Sequence, residues 1–385
     1  MVNYDVVIIG AGAAGLKAAY AASKNNHKIA IIEMKSLPAR KVAVSGGGHC
    51  NITNAGVAYN KYFGQNPNFV RSVLSRYSPT DVLHWATEHK IEIIEKTPGQ
   101  YFCKNSANDV VKALIQDVKN IPIFYNTIVS DIDKQNDIFY IKTNSDVFCA
   151  KSVIIASGGT SFATLGVSDI GYKIAKKFGH KIVPVRPALC ALNITNAIPE
   201  LAGISTVAEI TIGKNKITDS LLFTHMGIGG PLAYRASIYD FADGIHINLL
   251  PKYNIYEICK SAKQTCGRKK MHTLLSEYLP NKLAKFLCDG DTRNIADIKD
   301  SEIKNIANKI NNIFIPATNI SRYSMASAEV VRGGVATDEI SSKTLESKLC
   351  SGLFFIGEVL DITGDLGGFN LHWAWASGHV AGESI

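Results

Sequence analysis

Three glycines and one acidic residue near the start of the chain have the spacing of a dinucleotide-binding site. Gly10, Gly12 and Gly15 form a GxGxxG pattern, and Glu33 follows roughly 20 residues later. Gly10 permits a tight turn, Gly12 leaves room for a pyrophosphate beside the backbone, and Gly15 lets the following helix pack close to a sheet. The carboxylate of Glu33 can accept hydrogen bonds from both hydroxyls of an adenosine ribose. The spacing therefore predicts a site for the ADP half of a dinucleotide.

A second set of glycines and acids near the end of the chain suits a flavin. Gly357 and Glu358 follow a short apolar run, and Asp361 comes shortly after them. Such a strand allows close backbone approach and then supplies a carboxylate for the hydroxyls of the ribityl chain. A helix is predicted over residues 372–383, and its positive end can face the O2/N1 edge of the flavin, where reduction adds negative charge. Both ends of the chain are thus predicted to build one site.

A glycine-rich loop between these two sets adds candidate ligands. Arg40 and Lys41 are placed to neutralise phosphate, and residues 45–54, SGGGHCNITN, contain three consecutive glycines. A backbone of this kind can approach a flat or anionic ligand closely. The alternative is a flexible surface loop.

Three residues are candidates for proton transfer. Cys50 lies in the glycine-rich loop that is expected to line the flavin, and a packing role is its alternative. His372 begins the predicted C-terminal helix, and His225 lies in a glycine-rich turn. Either histidine can equally be a surface or interface residue.

The elements that must position these groups follow an α/β pattern. The apolar, β-branched run 6–9 is typical of a parallel strand that is covered on both faces, and the run 29–32 is similar. Helices are predicted over 67–77, 79–89 and 108–118, and short strands between 121 and 155 form a β meander. The last of these strands delivers Ala156, Ser157 and Gly158 to the same edge of the sheet.

The middle of the chain reads as an inserted module. Residues 190–250 alternate like antiparallel strands, and residues 253–315 are helical and rich in Lys and Arg. The basic run 267–270 is predicted either to contact phosphate or to be a solvated helix end.

Composition limits the classes of function. The 385 residues are 46% hydrophobic and 19% charged, and the net charge of +8 suits an anionic partner such as RNA or simply reflects a composition rich in Lys, Ile and Asn. The eight cysteines are scattered without metal-type spacing, so no metal site is predicted. The early glycine motif leaves no room for a signal peptide, and no apolar run reaches the length of a membrane span, so we expect a cytoplasmic protein with no membrane partner. The chain has no second GxGxxG motif with a following acid, so a separate NAD(P)H domain is not expected.

Five stretches together resemble a known family. They are GAGAAGLKAA with Glu33, Arg40-Lys41 with SGGGHCNITN, ASGG at 156–159, SRYSMASAEVVRGGV at 321–335 and GLFFIGEVLDITGDLGGFNLHWAWASG at 352–378. They resemble the bacterial NAD(P)/FAD-dependent flavoproteins named for bile-acid reduction or as aminoacetone-oxidase-like, within the glutathione-reductase-like class. The resemblance covers essentially the whole chain.

The resemblance implies an α/β fold with an insertion. A three-layer Rossmann-like FAD-binding domain, with a parallel sheet, helices and a small β meander, is expected from residues 1–189 and 320–385. An inserted β-barrel-like subdomain is expected at 190–251, and a small helical subdomain at 252–319. The oligomeric state is left open.

The resemblance also carries site residues over by position. The implied contacts with FAD comprise Gly10, Gly12, Ala13, Ala14, Gly15, Glu33, Met34, Arg40, Lys41, Ser45, Gly46, Gly47, Cys50, Asn51, Val129, Ala156, Ser157, Gly158, Gly357, Glu358, Asp361, Gly368, Phe369, Asn370 and Leu371. Val129 is expected to meet the adenine through its backbone. Two positions depart from the family, with His49 in place of the usual Arg and His372 in place of the usual Gln.

These residues and the resemblance predict an FAD-dependent oxidoreductase that moves a hydride between flavin N5 and a substrate in a cleft between the FAD domain and the insertion. NAD(P)H is the expected transient reductant. Two substrate classes compete: a small molecule with an activated C=C bond or an amine, and a uridine of ribosomal RNA that is reduced to dihydrouridine. A flavin-binding regulatory protein without turnover is a third reading.

Overall fold

The chain folds into alternating strands and helices and ends in a long helix. The computed structural model describes residues 2–385, apart from the side chain of Thr164. The strands are β1 (Val2–Ile9), β2 (Ile29–Ile32), β3 (Asn51–Asn54), β4 (Tyr62–Phe63), β5 (Ile93–Thr97), β6 (Gln100–Cys103), β7 (Ile123–Phe124), β8 (Val129–Gln135), β9 (Ile138–Thr143), β10 (Val147–Ile155), β11 (Ile182–Ala188), β12 (Leu192–Ile194), β13 (Ser205–Ile212), β14 (Asn215–Thr224), β15 (Gly227–Gly229), β16 (Ile245–Asn248), β17 (Ile313–Ile315), β18 (Ile320–Arg322), β19 (Val330–Val335), β20 (Leu353–Phe355) and β21 (Thr363–Gly364). The α-helices are α1 (Ala13–Ser23), α2 (Arg40–Gly48), α3 (Val70–Leu74), α4 (Pro79–Glu88), α5 (Ala107–Asp117), α6 (Ile170–Lys177), α7 (Gly230–Ala236), α8 (Ile255–Thr265), α9 (Met271–Leu275), α10 (Asn281–Leu287), α11 (Asp300–Asn311) and α12 (Phe369–Glu383).

Two units divide these elements. Unit 1 comprises Met1–Arg186 and Met325–Ile385, and unit 2 comprises Pro187–Ser324. Each unit has its own buried apolar core. The finer division of the insertion into a β-barrel-like part and a helical part stays a prediction.

A mostly parallel sheet lies at the centre of unit 1. Its strand order is β7-β2-β1-β10-β9-β8, and β20 also pairs with β10. The pairs of β1 with β2 and β10, and of β10 with β20, are parallel, whereas β8, β9 and β10 form an antiparallel meander. The continuous apolar run of β1 is fully buried, as expected for a strand that is covered on both faces. The Rossmann-type α/β fold and its meander are therefore confirmed.

Helices α1 and α12 pack closely through small residues. A Cβ on Gly378 would collide with the carbonyl of Ala14, and a Cβ on Gly382 would collide with the carbonyl of Ala18. These glycines let the last helix of the chain lie directly against the first. Helix α12 begins at Phe369, three residues before the predicted start, and is buried along most of its length.

Strands β5 and β6 were not predicted from the sequence. Residues 93–103 lie between two helices, and their apolar alternation is too short and too interrupted by charge to indicate strands. They pair with β3 in a three-stranded antiparallel sheet.

The glycine-rich loop also differs from its prediction, because its first half belongs to α2, with non-helical dihedral angles at residues 45–47.

Unit 2 is built on an antiparallel sheet. Its strand order is β17-β16-β13-β14-β15-β12-β18, and α8 to α11 follow β16 in the chain. The alternating pattern and the later helical pattern of residues 190–315 thus correspond to real elements. Among helices of residues 2–385, none has the length and hydropathy needed to cross a bilayer.

Candidate cofactor site

The carboxyl ends of four parallel strands carry most of the predicted cofactor residues. Strands β1, β2, β10 and β20 run in the same direction, so the residues that follow them lie at one edge of the sheet. Open α/β sheets bind their ligands at this edge. The residues there are Gly10 to Gly15 after β1, Glu33 and Met34 after β2, Ala156 to Gly158 after β10, and Gly357 and Glu358 after β20.

The space at the first glycine turn fits a pyrophosphate. A Cβ on Gly10 would collide with the carbonyl of Ala156, and a Cβ on Gly15 would collide with the carbonyl of Gly10. A Cβ on Gly12, in contrast, would meet no heavy atom within 4 Å. Gly12 is the N-cap of α1, whose first N–H groups lack intrahelical acceptors and can bind an anion. The turn therefore has no room for a side chain at Gly10 or Gly15, whereas the space beside Gly12 can admit a phosphate.

The second glycine turn meets the first. Gly357 has a φ of +70°, and a Cβ there would lie 3.0 Å from the side chain of Ala14. Residues from the two ends of the chain are thus in close contact at the start of α1. This convergence is what a cofactor with an ADP half and a flavin half requires.

Backbone N–H groups hold both carboxylate oxygens of Glu33. The N–H of Ala11 donates to Oε2 and the N–H of Lys35 donates to Oε1, each at 2.8 Å. Each oxygen keeps a further lone pair, so the carboxylate can also accept ribose hydroxyls. The N–H of Thr127 donates to the carbonyl of Glu33, which brings the segment before Val129 to the same place.

Lys41 and Glu358 form an ion pair, although the sequence predicts that each serves the cofactor. Lys41 Nζ donates to Glu358 Oε2 and to Ser161 Oγ, each at 2.8 Å. The N–H groups of Gly159 and Val331 donate to the same carboxylate at 3.3 and 3.0 Å. The charge that the sequence assigns to phosphate is therefore neutralised within the protein, and the pair joins residues far apart in the chain.

The glycine-rich segment within α2, residues 45–48, has space for a ligand beside it. Arg40 donates to the carbonyl of Leu165 at 2.6 Å. Gly46 and Gly47 have left-handed backbones, with φ of +56° and +65°. A Cβ on Gly47 would meet nothing within 4 Å, whereas a Cβ on Gly46 would press on the N–H of Asn51. The exposed part of the loop can therefore lie close to a ligand.

Cys50 is fully buried beside Cys103. The two residues flank the Asn51–Phe102 pair of β3 and β6, and the N–H of Cys50 donates to the carbonyl of Ser45 at 2.9 Å. The hydrogen bond with Cys103 and burial raise the pKa of the Cys50 thiol well above its usual range. The full burial of Cys50 against Cys103 is consistent with packing, and a role in proton transfer stays a prediction.

Asp361 is buried near the second glycine turn. Its Oδ2 accepts the N–H of Gln65 at 2.8 Å. Burial raises the pKa of this carboxyl, and the Gln65 N–H and the positive charge of Arg332 oppose the rise. The sequence predicts that Asp361 serves the cofactor, and this remains a prediction.

The start of α12 is braced by Asn370. Its Oδ1 accepts the N–H of Gly364 at 2.7 Å, and its Nδ2 donates to the carbonyl of Gly364 at 2.9 Å. Gly368 is the N-cap residue, with a φ of +93°, and the ring of Phe369 is buried, whereas Leu371 is half-buried. The side chain of Asn370 thus shapes the loop, and the first N–H groups of the helix remain the part that can face a flavin.

The two candidate histidines have different surroundings. His372 is fully buried, with Nδ1 2.8 Å from Thr53 Oγ1 and Nε2 3.1 Å from the carbonyl of Tyr77. Burial lowers the pKa of His372 to about 4. His225 lies exposed in the turn between β14 and β15 of unit 2. The structure brings His372 into the core of unit 1, and a role for His225 stays a prediction.

Glu329, which was not predicted from the sequence, lies near the predicted cofactor residues. Glu329 as a whole residue is exposed to solvent, but burial of its carboxyl group raises the pKa of that group, and the charge of Lys41 opposes the rise. Its carbonyl accepts the Ser161 hydroxyl at 3.3 Å, so it lies beside the Lys41–Glu358 pair. The signal was an acid in SAEVVRGG, between small residues and a glycine pair.

Comparisons with known proteins cover the whole chain. The family model described as HI0933-like protein Rossmann domain matches residues 4–384.

In the part of the chain that the structure describes, no group of three His, Cys, Asp or Glu side chains has the arrangement of a metal site.

Three curated relatives match over nearly their full length. A ribosomal RNA dihydrouridine synthase of Haemophilus influenzae is 38% identical over 98% of this chain and 98% of its own. A protein of the same name from Escherichia coli is 33% identical over 100% of this chain and 98% of its own. A 3-dehydro-bile acid delta(4,6)-reductase of Clostridium scindens is 28% identical over 98% of both chains.

We expect Glu33→Ala to weaken FAD binding by about tenfold to a hundredfold, because the ribose hydroxyls lose a charge-assisted acceptor. The flavin content of purified protein and a titration of apoprotein with FAD measure this effect. Glu346→Ala is a matched control, because Glu346 accepts the N–H of Gly352 ahead of β20, at the opposite end of that strand from Gly357. Full flavin occupancy in Glu33→Ala would contradict the placement of the ADP half.

We expect His372→Gln to flatten the dependence of stability on pH. The pKa of His372 is about 4 in the folded protein, below its ordinary value of 6.5, so the unfolded chain binds more protons. The stabilisation is present above pH 6.5 and is lost as the pH falls towards 4, by at most about 3 kcal/mol. Urea unfolding of both proteins across this range measures it. His379 is present in both proteins, so its contribution to the pH dependence cancels when the two are compared. Parallel curves of unfolding free energy against pH would show that His372 is not buried as described.

Proposed function

The chain belongs to the HI0933-like family of proteins with a Rossmann domain, and from this premise we propose that it is an FAD-dependent oxidoreductase that reduces a uridine of ribosomal RNA to dihydrouridine. The observation that carries the choice of FAD is the contact between the two glycine turns, where Gly357 lies against Ala14 beside the open position of Gly12. The choice of substrate rests on the two relatives with this name, each matched over at least 98% of this chain.

The relatives share one kind of chemistry. In uridine, the C5=C6 bond is conjugated with the C4 carbonyl, and the name of the bile-acid enzyme describes double bonds conjugated with a ketone. Reduction of either bond adds one hydride at the carbon far from the carbonyl and one proton at the carbon next to it. When bound, FAD supplies the hydride. NAD(P)H is the proposed source of the electrons.

The chain's own residues bind, orient and supply the proton in this proposal. Glu33 holds the adenosine ribose, the first turn of α1 binds the pyrophosphate, and the first turn of α12 faces the electron-rich edge of the flavin. Cys50 and His372 are buried within unit 1 and make poor donors to an external substrate. Glu329 is the better candidate proton donor, because it is joined through the Ser161 hydroxyl to the Lys41–Glu358 pair, the residue keeps contact with solvent, and partial burial of the carboxyl raises its pKa.

A small enone is the second candidate substrate. The relative from Clostridium scindens, matched over 98% of this chain, supports it. A steroid with a 3-keto group and conjugated double bonds is the compound to offer as this alternative substrate.

Deletion of the gene should remove dihydrouridine from ribosomal RNA, as measured by nucleoside mass spectrometry. The intact gene should restore it, whereas Gly12→Asp should not, because a side chain and negative charge would occupy the place of the pyrophosphate. An unchanged nucleoside profile, in a host whose ribosomal RNA contains dihydrouridine, would contradict the RNA substrate. Turnover of the steroid enone by the purified protein would then favour the second candidate.

Glu329→Gln should slow formation of dihydrouridine by roughly a hundredfold or more while leaving FAD occupancy unchanged, because an amide of the same shape cannot deliver the proton. The rate is measured with purified protein and RNA from the deletion strain. Lys343→Gln, an exposed change in the same unit, is a control for loss of charge at the surface. A rate within a few-fold of that of the unmodified protein would exclude Glu329 as the donor.

A further inference from the structure

A groove of about 530 Å³ lies within unit 2 and is formed by two walls. One wall is the segment that follows β16 and leads into α8, and the other is one face of α11. The α11 residues of the groove, Lys304, Ala307, Asn308 and Asn311, recur at intervals of three and four, so they share a face of the helix. The volume is in the range of sites that hold a nucleotide-sized ligand.

The groove is basic. Lys252 and Lys304 line it, both exposed, and no residue of its lining in the described chain is acidic. Other cations of the unit have carboxylate partners: Lys263 with Asp300 at 2.7 Å and Lys309 with Asp289 at 2.6 Å. Within residues 2–385 neither Lys252 nor Lys304 has a carboxylate within the distance of an ion pair. Their charges are therefore available to an anion, although Glu257 in the first turn of α8 lies near in sequence.

The groove also offers an aromatic face. Tyr253 is 46% exposed, and Tyr278 packs against its ring in an edge-to-face contact with 5.0 Å between ring centroids. A supported but exposed tyrosine ring is a platform on which an unpaired base can stack. Asn254 and Asn308 add side-chain amides in the same lining, which can bond to base edges.

The floor of the groove is held in place by one amide. Asn311 Nδ2 donates to Asn248 Oδ1 at 2.9 Å and to the carbonyl of Tyr253 at 2.9 Å, and its Oδ1 accepts the N–H of Ile255 at 3.1 Å. These bonds fix the segment that carries Lys252 and Tyr253 against the end of α11. The platform is thus preorganised, which reduces the entropy lost on binding.

We propose that this groove binds a single-stranded or looped segment of RNA, with phosphates at Lys252 and Lys304 and a base stacked on Tyr253. The inference rests on the proposed function, because it names where unit 2 contacts the RNA substrate. Positive charge without an acidic counterpart, a stacking platform and amides together match RNA, whose unpaired bases stack on aromatic rings and whose phosphates require cations. The basic run 267–270 fits less well, since Lys269 donates to Glu277 at 2.6 Å.

The test compares matched variants of the full-length, FAD-loaded protein by binding to ribosomal RNA from the deletion strain over a range of salt concentrations. Lys252→Ala with Lys304→Ala should weaken binding about tenfold and lower the salt slope by roughly 1 to 2. The control pair is Lys282→Ala with Lys285→Ala, which removes two exposed charges of α10 and should change neither quantity.

The stacking component is tested separately. Tyr253→Ala should weaken binding by about fivefold to a hundredfold, whereas Tyr253→Phe, which keeps the ring, should bind like the unmodified protein. Thermal unfolding and flavin content of each variant show whether it is folded. A folded variant that loses RNA binding supports the groove.

Failure of the groove and failure of the proposed function give different results. If the unmodified protein binds RNA and the groove variants bind it equally well with the same salt slope, the groove is excluded while the dihydrouridine activity stands on its own test. If binding needs the groove but deletion leaves dihydrouridine unchanged, the groove stands and the RNA reaction is excluded. If the unmodified protein binds no ribosomal RNA, both are overturned.

Discussion

The close approach of α1 to α12 is the constraint on which the candidate site depends. Gly378 and Gly382 lie so near the carbonyls of Ala14 and Ala18 that a Cβ at either position would collide with them. This packing holds the last helix against the first and brings the turn after β20 to the turn after β1. The Lys41–Glu358 ion pair spans the same junction. A cofactor with two halves can therefore be held by two segments that are more than 300 residues apart in the chain.

The sequence predicted the parts of this arrangement that depend on local pattern. The buried run of β1, the glycine turn, the acid at position 33 and the β meander all have periodicities or spacings that local sterics impose. The convergence of the two chain ends was also predicted, because each end has a glycine-acid pattern of its own. These features confirm the Rossmann-type fold, whereas the contacts of individual residues with FAD stay predictions.

The features that escaped prediction depend on partners distant in the sequence. Nothing near Lys41 indicates that its ammonium pairs with Glu358, and nothing near Cys50 indicates that β6 places Cys103 beside it. His372 looked like a helix-end proton donor, but the early start of α12 moves it into the core, where Thr53 and the Tyr77 carbonyl occupy both ring nitrogens. Burial among these partners lowers the pKa of His372 to about 4, so the ring is neutral at pH 7.

The proposed function assigns different tasks to the two units, and the surface of each unit supports this assignment. Unit 1 offers glycine turns and helix ends suited to a dinucleotide, and unit 2 offers lysines, a tyrosine ring and amides suited to RNA. Reduction of a conjugated C=C bond is the chemistry that joins the ribosomal RNA and bile-acid relatives. In this account the cofactor unit sets the reaction and the inserted unit selects the substrate.

Transfer of electrons from the bound flavin to RNA tests this account most directly. Purified holoprotein is reduced without oxygen, freed of reductant and mixed with ribosomal RNA from cells that lack the gene, while the visible absorbance of oxidised flavin is followed. The account predicts that the absorbance returns and that one dihydrouridine forms for each flavin reoxidised, whereas RNA that already carries the modification has little effect. A flavin that stays reduced with both RNAs, or that is reoxidised without dihydrouridine, would contradict it.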